Sequence, residues 1–218
     1  MALEAFVFDA YGTLYDVHSV LKRCESFFTG KGGQLSQLWR AKQLEYTWQR
    51  SLMKRYAPFS TVTREALAYA CETLRLELTA ERMEALMGEY NMLALYPDVA
   101  NLFSRMKGVK TAILSNGSPD MLEPLVAQSG LRLDAVISVD ELKIFKPAPE
   151  VYALAVKKLK TDKIGFVSSN CWDAIGAKSY GFTVFWINRA GAPVDRLGFK
   201  PDRVLNTLGD LAKTELGL

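Results

Sequence analysis

The chain has 218 residues, 49% of them apolar and 23% charged, with a formal net charge of +3. That length suits one large domain or one domain carrying an insertion, and it buries a core without disulfide staples. The charge is mild and no Lys/Arg block occurs, which argues against a nucleic-acid partner, while Cys24, Cys71 and Cys171 lack the spacing of a zinc site or disulfide framework. The N-terminal residues lack the basic and long apolar regions of a signal peptide. No apolar run reaches the roughly 20 residues of a membrane span. The expected setting is the reducing cytoplasm, with no membrane partner.

In chain order, Ala5–Ala10 (AFVFDA) is an apolar run that ends on an acid and meets Tyr11-Gly12-Thr13, which predicts a buried strand and a tight loop. Residues 17–95 contain no convincing strand. Leu35, Leu38, Leu44 and Trp48 recur at helical spacing, as do Leu67, Ala70, Leu74 and then Met83, Leu86, Met87. These residues are too many for a crossover. They predict an all-helical cap inserted at 17–95, between the two parts of a core at 1–16 and 96–218.

Further strands are predicted at Thr111–Leu114, Ala135–Val139, Ile164–Val167 and Thr183–Ile187. Helical segments separate most of them, and such alternation predicts an α/β fold with a Rossmann-like, three-layer parallel-sheet core. Helices are expected to start at Ser118-Pro119, at Ala148-Pro149 and after Ser169-Asn170, the last ending at Gly181. In open sheets of this kind, ligands bind beyond the carboxyl ends of the strands. Asp9, Ser115-Asn116, Lys146 and Ser168-Ser169-Asn170 all fall at or just past such ends, so they are expected to converge.

Phe8-Asp9-Ala10-Tyr11-Gly12-Thr13-Leu14, Leu114-Ser115-Asn116-Gly117, Phe145-Lys146-Pro147 and Val167-Ser168-Ser169-Asn170-Cys171-Trp172-Asp173 resemble, in order, the four motifs of the haloacid dehalogenase superfamily. Tyr11, Leu38-Trp39-Arg40 and the Ser-Ser-Asn-x-Trp-Asp run resemble its L-2-haloacid dehalogenase family. The resemblance implies a metal-independent enzyme that needs no cofactor. It converts short L-2-haloalkanoic acids to D-2-hydroxy acids with inversion, through an ester on Asp9. A homodimer is also expected by this resemblance.

The residue types suit that chemistry. An ionised, partly desolvated aspartate is a competent nucleophile. Loop N–H groups around Gly12 and Thr13, together with the Lys146 ammonium, are expected to keep Asp9 charged. Superfamily phosphatases carry a second aspartate two residues after the nucleophile, where this chain has Tyr11. A departing halide needs no proton, so that acid is dispensable. Asp173, helped by Lys146 and Asn170, is the expected base for the water that opens the ester. The lone histidine, His18, is expected in the linker into the cap.

By resemblance, Arg40 and Asn116 receive the halide; a guanidinium suits a carboxylate equally well, so both roles stand open for Arg40. Thr13 and Ser168 are expected to hold Asp9 and Lys146 in place. Ser115 and the N–H groups near Tyr11 and Asn116 are expected to bind the substrate carboxylate. Tyr152 orients that shell, and Phe59 and Trp172 wall the pocket. Ala41 stands where a longer polar residue is typical of the family, which bears on chain-length preference. Two other readings compete: a magnesium-dependent phosphatase of the same fold, and a catalytically silent binding protein.

Overall fold

The computed structural model describes residues 2–215. Six parallel strands form a single sheet in the order β3-β2-β1-β4-β5-β6. They are β1 (Ala5–Phe8), β2 (Lys110–Ser115), β3 (Ala135–Ser138), β4 (Ile164–Ser168), β5 (Thr183–Ile187) and β6 (Arg203–Leu205). All four residues of β1 are buried and all are apolar, as expected for a central strand covered on both faces. β1 pairs on both sides, Phe8 lying opposite Ile113 of β2 and Val167 of β4. This order reverses direction around β1, which makes the carboxyl end of β1 the crevice of the sheet.

The first four elements after β1 are all helices: α1 (His18–Phe27), α2 (Gly32–Leu52), α3 (Phe59–Thr73) and α4 (Ala80–Glu89). The chain leaves the core and returns to it side by side. Asp16 N donates to Ala94 O, and Tyr96 N donates to Leu14 O, both within 2.9 Å. The core resumes with α5 (Val99–Arg105), α6 (Pro119–Ser129), α7 (Pro149–Leu159), α8 (Cys171–Tyr180) and α9 (Leu208–Glu215). Among the described residues, no helix is long and apolar enough to cross a membrane.

Local chemistry explains three of these helix ends. Proline opens α6 and α7, where its missing N–H has no intrahelical partner to lose. Gly181 ends α8 at φ +117°, a conformation that excludes most side chains. Ser118 is the N-cap of α6, as expected, though its hydroxyl makes no cap bond and accepts from Ser60 N in the inserted segment. The edge strand β6, three residues long and largely exposed, carries no apolar run and is absent from the sequence reading.

Candidate active site

Asp9 follows β1 directly. Its N–H continues the ladder to Val167 O at 2.9 Å, so its side chain starts from the centre of the sheet. Three side chains from three segments grip the carboxylate. Thr13 Oγ1 and Asn170 Nδ2 donate to Oδ2 at 3.0 and 2.9 Å, and Lys146 Nζ donates to Oδ1 at 3.1 Å. Oδ1 thus carries one of these bonds against two on Oδ2. The Thr13 hydroxyl is itself fixed, since it accepts from Ser169 N at 2.8 Å.

One expectation is corrected here. The backbone N–H groups of Gly12 and Thr13 do not reach Asp9; they are consumed inside their own loop by Tyr15 O and Ala10 O. A turn this tight satisfies its own amides first, so side chains do the work at the carboxylate.

Lys146 is buried and also donates to Asp173 Oδ2 at 2.9 Å, so one ammonium joins two carboxylates. Burial opposes its charge, but Asp173 and Asp9 outweigh that and raise its pKa above the usual value. Asp173 is likewise buried. Burial pushes its carboxyl up to about 6 against the pull of Lys146, and the Asp9 charge adds to the rise. Behind it, Tyr152 Oη donates to Asp173 Oδ1 at 2.9 Å. Burial, then the adjacent Asp173 carboxylate, raises the Tyr152 phenol well above its usual range, so it remains a donor.

A small cavity opens on this cluster. Asp9, Tyr11, Arg40, Phe59, Ser115, Asn116, Lys146, Asn170 and Trp172 all line it. Ser115 ends β2, the loops of the core supply Asp9, Tyr11, Asn116, Lys146 and Asn170, α8 supplies Trp172, α2 supplies Arg40, and Phe59 is the first residue of α3. Asn116 Oδ1 accepts from Lys146 N at 2.9 Å, which leaves its amide NH₂ as the part available to a ligand. Ser115 Oγ accepts from Gly117 N and retains its proton for donation. Tyr11 packs against Phe59 and Tyr90, and its buried hydroxyl has no hydrogen-bond partner among the described residues.

Thr13, Ser168, Tyr152 and Asp173 stand behind the cavity rather than on its wall. Ser168 pairs with Asn170 N and O within its own loop and makes no bond to Lys146. Tyr152 reaches the cluster through Asp173 alone. His18 is exposed at the start of α1.

Two residues escaped the sequence reading. Leu44 lines the cavity, although its spacing on α2 suggested core. Gln43 is fully buried beside Arg40. The stripe of α2 that is buried runs through Leu35, Trp39, Gln43 and Thr47, at regular steps of four. That step was the available signal, hidden because half of its members are polar.

A Rossmann-like parallel sheet under a helical insertion, with a strand-end aspartate and a buried lysine at its crevice, defines a hydrolase that works through a carboxylate. The chain belongs to the haloacid dehalogenase-like hydrolase family, whose sequence profile matches residues 3–181. It is 47% identical over 216 residues to (S)-2-haloacid dehalogenase H-109 of Pseudomonas putida, with 96% of each chain covered. It is 44% identical over 206 residues to haloacetate dehalogenase H-2 of Moraxella, with 92% of each covered. Its fold matches the L-2-haloacid dehalogenase of Xanthobacter autotrophicus solved with chloropropionic acid covalently bound, at a TM-score of 0.90, 43% identity and 97% coverage of both chains.

Proposed function

We propose that the protein hydrolyses the carbon–halogen bond of short L-2-haloalkanoic acids to D-2-hydroxy acids through an ester on Asp9, without a metal ion. The observation that carries this reading is the Lys146 ammonium seated between the carboxylates of Asp9 and Asp173. One ammonium thus seats a nucleophile and a base side by side. Tyr11 stands where phosphatases of the superfamily carry their second acid. Among the described residues, no group of three or more His, Cys, Asp or Glu side chains is arranged to hold a metal.

In the first step, Asp9 attacks C2 from the face opposite the halogen. The new C–O bond forms as the carbon–halogen bond breaks and the halide leaves with the electron pair, which inverts the centre. Arg40 and the Asn116 amide receive the halide, while Ser115 and the adjoining loop N–H groups hold the substrate carboxylate. The phenyl and indole faces of Phe59 and Trp172, with Tyr11, exclude water around the reacting carbon. Asp173 then takes a proton from water, which adds to Cγ of Asp9. The acyl C–O bond breaks, the departing alkoxide takes up a proton, and Asp9 is regenerated. Dividing one displacement into two steps is the gain from covalent catalysis. Thr13 and Asn170 hold the Asp9 carboxylate, and Tyr152 holds Asp173. Residues 17–95 act as a cap that closes over this site.

Halide release from L- and D-2-chloropropionate, with EDTA present throughout, tests the proposal. Release from the L form alone is expected. Release that EDTA abolishes, or release from the D form alone, would overturn it. We also propose a homodimer, supported by Leu52 and Met53, which stand 85% and 59% exposed at the end of α2. Light scattering after size exclusion should give twice the chain mass; a single-chain mass at micromolar concentration would rule it out.

A further inference from the structure

Gln43 is wholly buried, and a buried amide persists only where its donors and acceptor are satisfied. Its surroundings fix which way it points. The Thr63 hydroxyl donates its one proton to Phe59 O at 2.7 Å, so toward Gln43 it can only accept. Gln43 therefore presents its NH₂, and Nε2 donates to Thr63 Oγ1 at 2.6 Å. Its carbonyl then faces Arg40, a group with donors and no acceptor, and Oε1 accepts from Nη1 at 2.6 Å. Both neighbours demand the same orientation of the amide. Trp39 Nε1 also donates to Thr63 O at 2.8 Å.

A relay thus runs from the backbone of Phe59 through Thr63 and Gln43 to the Arg40 guanidinium. Phe59 and Arg40 both line the catalytic cavity. We propose that Gln43 is a positioning residue that fixes Arg40 against the departing halide and thereby sets how well the enzyme expels the poorer leaving groups. The inference rests on the dehalogenase reading given above. An arginine free to wander over its several side-chain rotors would meet the developing anion less often. Chloride leaves less readily than bromide, so its transition state depends more on that cation.

The test compares single-turnover halide release from L-2-chloropropionate and L-2-bromopropionate in wild type, Gln43→Leu, Arg40→Ala and the double variant. Gln43→Leu is expected to slow chloride release on the order of tenfold, the loss of one charge-assisted hydrogen bond, and bromide release less. In the Arg40→Ala background the same change should add nothing, because the residue it acts through is gone. Equal slowing of both halides, or full slowing without Arg40, would mean a merely structural role and overturn the inference. Should Gln43→Leu fail to fold, Thr63→Val removes the acceptor that orients the amide, and the same shift in halide ratio is expected from it. A silent wild type would remove the dehalogenase reading itself, whereas an unchanged ratio in an active wild type removes only this inference.

Discussion

At the scale of single residues, the environment of Asp173 sets the pH dependence. Its carboxyl sits at about 6, raised chiefly by burial and held from rising further by Lys146 and by the hydrogen bond from Tyr152. A general base acts only when ionised. In the ester Asp9 no longer carries the charge that adds to this rise, so ester hydrolysis should weaken only as pH falls below about 6. The Tyr152 hydrogen bond favours the charged form, so removing it raises the carboxyl further. Tyr152→Phe is expected to move the acidic limb of kcat to higher pH, and to let esterified Asp9 accumulate where wild type turns over. An acidic limb that stays in place would show that Tyr152 only packs.

At the scale of elements, α8 approaches the Lys146-Pro147 loop as closely as a glycine permits. A Cβ placed on Gly176 would lie 2.5 Å from Pro147 Cβ and 2.6 Å from Tyr152 Oη. Asp173 is one turn earlier on the same helix. Gly176→Ala must push α8 away from both, carrying Asp173 with it. The expected result is a loss of about 1–3 kcal/mol in urea unfolding, together with reduced halide release. An unchanged midpoint would show that the loop yields freely.

The same elements explain what the sequence could and could not disclose. Strands β1, β2, β4 and β5 were legible because apolar runs bounded by turns leave little ambiguity, whereas β6 has no such run. Asp9, Lys146 and Asp173 were legible because four ordered segments pointed to strand ends that the sheet topology must bring together. The bonds of Thr13 and Lys146 to Asp9 were legible as well, but not that Asn170 completes the grip in place of the loop amides, since this depends on how the loop spends its own amides. Gln43 stayed hidden because its partner Thr63 lies on another helix, and only the packing of α2 on α3 joins them.

At the scale of the molecule, the insertion and the core meet around the rim of the site. Tyr56 Oη donates to Asp140 at 2.7 Å and its ring stacks on Phe145 at 4.9 Å, while Phe145 N donates to Ser51 Oγ. Phe145 precedes Lys146, so contact with the helical segment is transmitted directly to the ammonium. A second clamp ties the returning chain to the nucleophile loop: Arg189 pairs with Asp98, lies over the Tyr96 ring at 4.0 Å and donates to Thr13 O. The core supplies Asp9 just past β1 and Asp173 on α8, and the inserted helices supply Arg40 and Phe59, which is why neither part alone composes the site. The claim at the centre of this account is that Asp9 becomes esterified. Single-turnover hydrolysis of L-2-chloropropionate in heavy-oxygen water, with enzyme in excess, tests it most directly by mass spectrometry of the peptide bearing Asp9. The label is expected in Asp9 and not in the first molecule of product; label appearing directly in that product would mean that water attacks the substrate itself and that the covalent account is wrong.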